Sequence, residues 1–242
     1  MWESVNLKRL FPVGEVNGLY GAYRPGGSAL NSGQVGGFRA AEFIANRYLA
    51  WDVDKKAAER SASAAATDVL AWMDKCVDAK TDWRAEREEL QERMSRCGAH
   101  IRSGAELEKA VAEAWKQWRR VNLAGCACRT PEGLAEALRN RQLCFAHAVY
   151  LEAIRFALES GVGSRGSAMT LDPRGAHVHE QLGDEWRMAP EDESFKEKVQ
   201  ETLANVDGKV ENRWVRRRPL PDCDAWFETG WADFRNGDIY NP

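Results

Sequence analysis

The sequence predicts an α+β fold that is mostly α-helical: a strand–loop–helix unit, then an antiparallel helical bundle, then an irregular C-terminal tail. Three observations support this prediction. A glycine-dense loop lies between a short apolar run and a helical pattern near the start of the 242-residue chain. Four amphipathic helical patterns with short links follow, and beyond them the periodicity weakens. We therefore divide the chain into residues 1–56, 57–166 and 167–242.

The first unit is predicted as a strand at Leu10–Val13, a loop and a helix. The helix is indicated by apolar residues at helical spacing, namely Val35, Phe38, Ala41, Ala45 and Tyr48. Small residues in such a loop let backbone N–H groups approach a flat or anionic ligand, and the helix N-terminus adds partial positive charge. The loop also carries one acid, Glu15, and one base, Arg24. This combination predicts a ligand-binding loop.

The helical bundle is predicted from apolar stripes and from helix start and stop signals. The first helix runs from about Ser61 to Val77, and the second runs from near Thr81 to Gly98. A capping box at Ser103–Glu106 opens the third helix, and Thr130–Pro131 opens a fourth that ends at Glu159. The tryptophans at helical spacing are expected in the core: Trp72, Trp115 and Trp118.

The tail contains fewer regular patterns. Phe195–Val206 is predicted as a short helix, and Val210–Pro219 as an edge strand whose charges prevent aggregation. The aromatic-rich ending, 226–240, is expected to dock onto the body of the protein. His177 and His179 could bind a metal from one face of a strand, but no third ligand follows at a suitable distance, so exposed loop histidines are the preferred interpretation.

Charge and cysteine content exclude several function classes. A net charge of −3 gives no reason to expect nucleic acid or an anionic membrane as partner. No apolar run of about 18 residues predicts a membrane span, and the first residues lack the core of a signal peptide, so a cytoplasmic location is expected. The six cysteines form no metal framework, since Cys126-Ala127-Cys128 is not a Cys-x-x-Cys pair. Free thiols are therefore preferred over metal ligands.

The glycine loop resembles a known family. Gly14-Glu15-Val16, followed by the run from Gly21 to Leu30, is similar to the last nucleotide-domain segment of the succinate dehydrogenase and fumarate reductase flavoproteins. The resemblance implies FAD in the complete enzyme and makes the first unit a remnant of a Rossmann-like FAD-binding domain. The residues that it assigns to the cofactor are Gly14, Glu15, Gly26, Gly27, Ser28, Ala29 and Leu30.

Particular roles are also implied by the resemblance. Glu15 would hold the ribose or ribityl hydroxyls, and Ser28, Ala29 and Leu30 would lie along the isoalloxazine. Arg24 would be the catalytic arginine that grips a small carboxylate substrate during hydride transfer. Its planar fork suits a carboxylate and stays charged at any working pH.

The resemblance extends loosely into the bundle, and it also implies missing parts. Glu89-Leu90-Gln91…Met94 and Ser164-Arg165-Gly166 match the helical domain that follows the flavin helix in the family. Arg165 is interpreted as a structural residue rather than a substrate ligand. Family members begin with a Gly-x-Gly-x-x-Gly turn and carry an inserted capping domain, and this sequence shows neither.

We therefore expect the C-terminal portion of a larger flavoprotein, as a truncated product or as one half of a split enzyme. Its partner would be an N-terminal flavoprotein half or an upstream-encoded chain, without which it would be inactive. A different class of function is left open, in which the chain is a non-catalytic helical interaction module.

Overall fold

The computed structural model describes residues 3–4, 7–17, 27–48, 54–166, 168–205, 207–217, 229, 232–233 and 235–238. The chain divides into two compact units. One comprises residues 1–58 and 219–242, and the other comprises residues 59–218. The aromatic side chains of the predicted ending, Trp226, Phe227, Trp231, Phe234 and Tyr240, lie outside the described residues. The fold is mostly helical with a few short strands, which confirms the predicted α+β class.

In the first unit, a 3₁₀ turn at Gly14–Asn17 packs against helix α1, Ser28–Arg47. The helix is predicted correctly, but the strand at Leu10–Val13 is wrong, because residues 10–13 form no strand. Pro12 lacks a backbone N–H for a ladder, and no strand is described nearby in this unit. Phe11 instead packs on α1, with ring centroids 5.9 Å from Phe43 and 6.2 Å from Tyr48.

Helices α2, Lys55–Val77, and α3, Trp83–Arg93, follow, and a π-helical segment at Met94–Gly98 extends α3. Helices α4, Gly104–Ala124, and α5, Pro131–Glu159, complete the set. The start of α5 is predicted correctly, since the Thr130 hydroxyl accepts a hydrogen bond from the Gly133 N–H at 3.1 Å. The capping box is wrong, because Ser103 makes no side-chain cap bond to α4.

The helices of the second unit surround one hydrophobic core. Trp72, Trp115 and Trp118 are buried in it, as predicted, and α4 and α5 pack against each other along it. The indole N–H of Trp72 donates to the Val121 carbonyl at 3.1 Å, and that of Trp115 donates to Glu152 at 3.0 Å. Each indole thus satisfies its single donor inside an apolar environment.

The tail is more regular than predicted. Strand β1, Ile101–Arg102, pairs in parallel with β2, Met169–His177, which pairs antiparallel with β3, Arg187–Met188. Strands β4, Lys198–Ala204, and β5, Val210–Arg216, form an antiparallel hairpin. The helix predicted over 195–206 is therefore wrong. A 3₁₀ turn at Glu193–Glu197 leads directly into β4. Residues 198–204 form a strand because β5 supplies a complete hydrogen-bonding partner.

The hairpin packs on α5 mainly through Trp214, and Gln200 on β4 also donates to the Ala153 carbonyl of α5 at 2.8 Å. The Trp214 ring lies 5.7 Å from the Phe156 ring and 4.7 Å from the Phe195 ring. Its indole N–H donates to the Ser160 hydroxyl at 2.9 Å. The predicted edge strand at Val210 is thus confirmed, and its aromatic residue fastens it to the end of α5.

Candidate functional site

The predicted ligand loop begins where Gly14 meets α1. Gly14 is buried with a φ of +77°, a conformation that glycine adopts without strain. A Cβ atom placed on Gly14 would lie 3.5 Å from the Gly33 Cα, and one placed on Gly36 would lie 3.3 Å from the Val13 Cβ. Glycines on both sides therefore allow residues 13–14 to lie directly on the helix backbone. Glu15 follows on the exposed side of the 3₁₀ turn.

The N-terminus of α1 carries the remaining described site residues. Gly27 is the N-cap residue of α1 and has a φ of +83°. Because glycine has no side chain, Gly27 cannot accept a side-chain hydrogen bond from the first N–H groups of the helix. Ser28, Ala29 and Leu30 form the first turn, and Leu30 is 75% exposed. Among the described atoms, none lies within 4 Å of a Cβ placed on Gly27. The described part of the chain thus leaves open space beside this helix end.

One hydroxyl near this turn lacks a partner among the described residues. The Oγ atom of Ser32 is buried, and it makes no hydrogen bond to any described part of the chain. A buried polar atom without a partner costs free energy, which a hydrogen-bonding group from another molecule would recover. The glycine contacts, the uncapped helix end and this hydroxyl suit a polar cofactor lying against residues 27–32. Arg24 and Gly26 lie outside the described residues.

The Ser164-Arg165-Gly166 segment lies in the second unit, beside β1 and β2. Arg165 pairs with Glu191 at 3.4 Å, and the Ser164 hydroxyl accepts the Thr170 N–H at 3.0 Å. A cavity of about 360 Å³ lies here, lined in part by His100 and Met169. These contacts are consistent with a structural role for Arg165.

The two tail histidines make separate contacts. His177 Nε2 lies 3.3 Å from Asp184, whereas His179 Nδ1 accepts the Gln181 N–H at 3.2 Å. Within the described part of the chain, no group of three or more histidine, cysteine or acidic residues could hold a metal ion. No described helix is both long enough and apolar enough to cross a membrane.

A buried charged network lies between α3 and α4, and sequence reasoning missed it. Glu86 is completely buried, and its carboxylate accepts two hydrogen bonds from the Arg120 guanidinium at 2.9 and 2.7 Å. Gln117 donates to Glu86 at 3.0 Å and accepts from Arg93 at 2.8 Å. Glu89 bridges Arg93 and Arg120. The sequence did contain a signal for this network. Glu86 lies four residues before the inward-facing Leu90, and Arg93 lies three residues after it, so all three share one face of the helix.

The network shifts the pKa values of its members. The hydrogen bond from Arg120 to Glu86 raises the pKa of Arg120 above its ordinary value. For Glu89, burial acts to raise the pKa, but the hydrogen bonds from Arg93 and Arg120 together lower it below its ordinary value. Both shifts favour the charged forms of Glu89 and Arg120, and the paired, hydrogen-bonded network acts as a structural clamp between α3 and α4.

These features define a mostly helical α+β protein whose glycine loop leads into an uncapped helix. Solved structures share the fold. An E. coli quinol fumarate reductase FrdA variant matches with a TM-score of 0.62 and 20% identity, over 90% of this chain and 35% of that chain. A quinol-fumarate reductase with menaquinol molecules matches with a TM-score of 0.62 and 19% identity, over 92% of this chain and 37% of that chain.

The chain thus spans a little over one third of the length of these structures. At such identity the likeness establishes the fold, and it agrees with the flavoprotein resemblance predicted from the sequence. No protein-family model and no curated protein matches the sequence.

Proposed function

We propose that the chain supplies the C-terminal part of a FAD-dependent oxidoreductase resembling the fumarate reductase flavoproteins. The observation that carries this proposal is the shared fold with two quinol fumarate reductase chains, together with a glycine loop of the expected sequence at Gly14–Leu30. In this proposal residues 1–56 complete an FAD-binding domain, 57–166 form a helical domain, and 167–242 are an extension packing on the body.

The proposed roles use the described geometry at the start of α1. The first-turn backbone N–H groups of Ser28, Ala29 and Leu30 would face the cofactor, and the helix dipole would favour electron density there. Glu15 would accept hydrogen bonds from sugar or ribityl hydroxyls. When bound, FAD supplies hydride transfer to an activated carbon, and the protein supplies position and charge.

Arg24 would hold the substrate carboxylate with two parallel hydrogen bonds. This role follows from the position of Arg24 within the family-like run. The proposed substrate class is a small carboxylate, with fumarate as the first candidate because the structural neighbours are fumarate reductases.

Reconstitution tests the proposal. The chain is co-expressed with the protein encoded immediately upstream, and the purified fractions are examined for yellow flavin absorbance. We expect colour that co-elutes with both proteins, since the proposed cofactor site needs both. A stable colourless complex would contradict the flavoenzyme proposal.

Two variants of the reconstituted enzyme separate the roles. Arg24→Lys is expected to keep the flavin but to lose most carboxylate turnover, because lysine cannot form the bidentate pair. Glu15→Gln is expected to weaken flavin retention. Parental turnover by the Arg24→Lys enzyme would rule out the carboxylate role.

A second candidate, the helical interaction module, is favoured by the apolar surface of α1. Val35 and Phe38, which lie on the apolar stripe of the helical pattern, are 51% and 60% exposed. Exposed apolar residues at this density indicate a surface that another polypeptide covers. A colourless complex with the upstream protein would support this candidate.

A further inference from the structure

The cavity of about 360 Å³ in the second unit has a mixed polar and apolar lining. Its polar lining includes Arg165 and Glu191, and its apolar lining includes Ile101, Met169 and Met188. Small-molecule sites combine an apolar surface with a few polar groups that fix orientation, and they measure about 300 to 1,000 Å³. The cavity therefore suits a small molecule with one polar end and one apolar end.

The polar part of the lining is an ion pair that leaves most of its hydrogen-bonding groups available. The Nε atom of Arg165 lies 3.4 Å from the Oε1 atom of Glu191. Among the residues that the structure describes, Nη1 and Nη2 of Arg165 and Oε2 of Glu191 have no partner. The two side chains are 34% and 33% exposed, so a dissolved molecule can reach them. The pair thus offers two guanidinium donors beside a carboxylate acceptor.

Backbone hydrogen bonds hold both charged residues in place. Arg165 and Ala168 exchange N–H to carbonyl bonds of 2.9 and 3.0 Å, which close a tight turn. The residue after Glu191 is also fixed, since the Asp192 N–H donates to the Val162 carbonyl at 3.0 Å. Groups that are ordered before a ligand arrives reduce the entropy lost on binding.

The apolar part of the lining lies on the three-stranded sheet. Ile101 on β1 and Met169 on β2 are register partners, so their side chains project from the same face of the sheet. Met188 on β3 also lines the cavity, and thioether side chains adapt to the shape of an apolar ligand. Ile101 is 42% exposed, and an aliphatic group lying on it would leave water.

We propose that this cavity binds a free α-amino acid with an aliphatic side chain. The α-carboxylate accepts two parallel hydrogen bonds from Nη1 and Nη2 of Arg165, and the α-ammonium donates to Oε2 of Glu191. The aliphatic side chain lies against Ile101, Met169 and Met188. All of these residues belong to the second unit, so the proposal does not depend on the flavin.

The charges of the pair favour a zwitterion over a ligand with a single charge. A carboxylate without an ammonium group would place its negative charge beside Glu191. An amine without a carboxylate would place its positive charge beside Arg165. Each of these arrangements sets a repulsion against the attraction, whereas an amino acid meets both members of the pair with the opposite charge.

The experiment titrates the full chain with L-leucine, followed by isothermal titration calorimetry and ligand-observed NMR. Isocaproate, which is leucine without its ammonium group, and isoamylamine, which is leucine without its carboxylate, are the matched ligands. We expect saturable binding of L-leucine and binding at least about tenfold weaker for each matched ligand, because each loses one set of charged hydrogen bonds. Equal affinity for isocaproate, or no saturable binding of L-leucine, would overturn the proposal.

Variants test the two charged residues separately. Arg165→Gln should weaken the binding of L-leucine by about tenfold or more. Glu191→Gln should also weaken L-leucine but should strengthen isocaproate, because the repelling carboxylate is removed. Arg174→Gln is the control, since Arg174 is 91% exposed and pairs with Asp172, and it should keep the parental affinities.

Thermal unfolding checks that each variant is folded. If Arg165→Gln is poorly folded, the reversed ligand preference of Glu191→Gln still decides the question. Parental affinity for L-leucine in a folded Arg165→Gln, or an unchanged ligand preference in Glu191→Gln, would overturn the proposal.

Discussion

At the scale of single residues, Glu86 has the most demanding environment in the second unit. A completely buried carboxylate is tolerated only when its charge is paired and its oxygens accept hydrogen bonds. Arg120 provides both, and Gln117 adds a third donor. Because Arg120 is 37% exposed at its side chain, water partly screens the pair and reduces its net contribution.

Removing Arg120 should still be costly, because Glu86 would remain buried without its main partner. We expect Arg120→Met to lower the free energy of unfolding by about 2 to 4 kcal/mol, measured by urea denaturation at neutral pH. Lys109→Met is the matched control on the same helix, since Lys109 is 77% exposed and lies 3.8 Å from Glu113. Equal losses from the two variants would contradict a special role for Arg120.

His147 makes a second residue-scale prediction. It is 5% exposed, and within the part of the chain that the structure describes neither ring nitrogen has a hydrogen-bond partner. Burial, aided by the facing charge of Arg93 and opposed by that of Glu89, lowers its pKa to about 4. The folded state therefore binds fewer protons than the unfolded state between about pH 4 and the ordinary histidine value of about 6.5.

Stability should therefore fall as the pH falls through this window, because the unfolded chain takes up the proton first. The contribution of His147 to the slope is at most about 1.4 kcal/mol per pH unit. We expect His147→Leu to flatten the dependence, measured by urea denaturation from pH 4 to 7. The exposed His179→Gln control should keep the parental slope, and an unchanged slope in His147→Leu would refute the assignment.

At the scale of elements, the end of α4 depends on Gly125. Its φ is +75°, and a side chain there would meet both the sulfur and the backbone of Cys76. Gly161, at the end of α5, has a φ of +76° but no neighbour within 4 Å of the added Cβ. The two positions share a positive φ, which strains any residue with a side chain, and they differ in steric space.

Gly161→Ala should therefore cost only the strain, about 1 kcal/mol. Gly125→Ala should lose the same free energy from strain and, because the new side chain must displace α2 from the link between α4 and α5, about 1 to 3 kcal/mol more. Thermal unfolding monitored by circular dichroism compares the two directly. Equal decreases in melting temperature for the two variants would show that α2 moves freely away from residue 125.

The β4–β5 hairpin is the other element whose position depends on few contacts. Trp214 packs between Phe156 and Phe195 and donates its N–H to Ser160. Trp214→Ala should destabilise the protein by about 2 to 4 kcal/mol, since the half-buried ring loses packing and its hydrogen bond. Limited proteolysis of Trp214→Ala should cleave residues 193–217 faster than in the parental protein. An unchanged cleavage rate would contradict the role of Trp214 in holding the hairpin on α5.

At the scale of the whole molecule, the exposed apolar residues of α1 are the surface that the proposed partner would contact. Phe38→Glu should weaken the complex with the upstream-encoded protein, because a charge on a covered apolar surface must be desolvated. The free energy of unfolding of the isolated chain should change little, since Phe38 is 60% exposed. Gln34→Glu, which adds the same charge at an exposed position of the same helix, is the control.

Pull-down titration measures both variants. Equal binding by Phe38→Glu and the parental chain would show that this part of α1 is not the contact surface. The apolar pattern identified helix α1 correctly, and the structure adds that Val35 and Phe38 on its stripe are exposed. Periodicity reports which residues share a face, and it does not report what covers that face.

The sequence was most informative where local signals were complete. The Thr130–Pro131 start of α5 and the tryptophans of the core were predicted correctly, since caps and apolar spacing act within one helix. At Ser103 the start of α4 was predicted correctly, but the predicted side-chain cap bond is not made. Phe195–Val206 failed because pairing with β5 outweighed local helix preference.

By itself, the sequence determined the mostly helical class, the flavoprotein resemblance and the set of candidate residues from Gly14 to Leu30, because glycine placement and helical periodicity are local properties. Only the tertiary structure decided which polar residues are buried together. The Glu86–Arg120 pair and the hydrogen bond from Trp115 to Glu152 each join residues distant in the chain. Such contacts depend on how the helices pack, and packing is set by the shapes of many side chains at once.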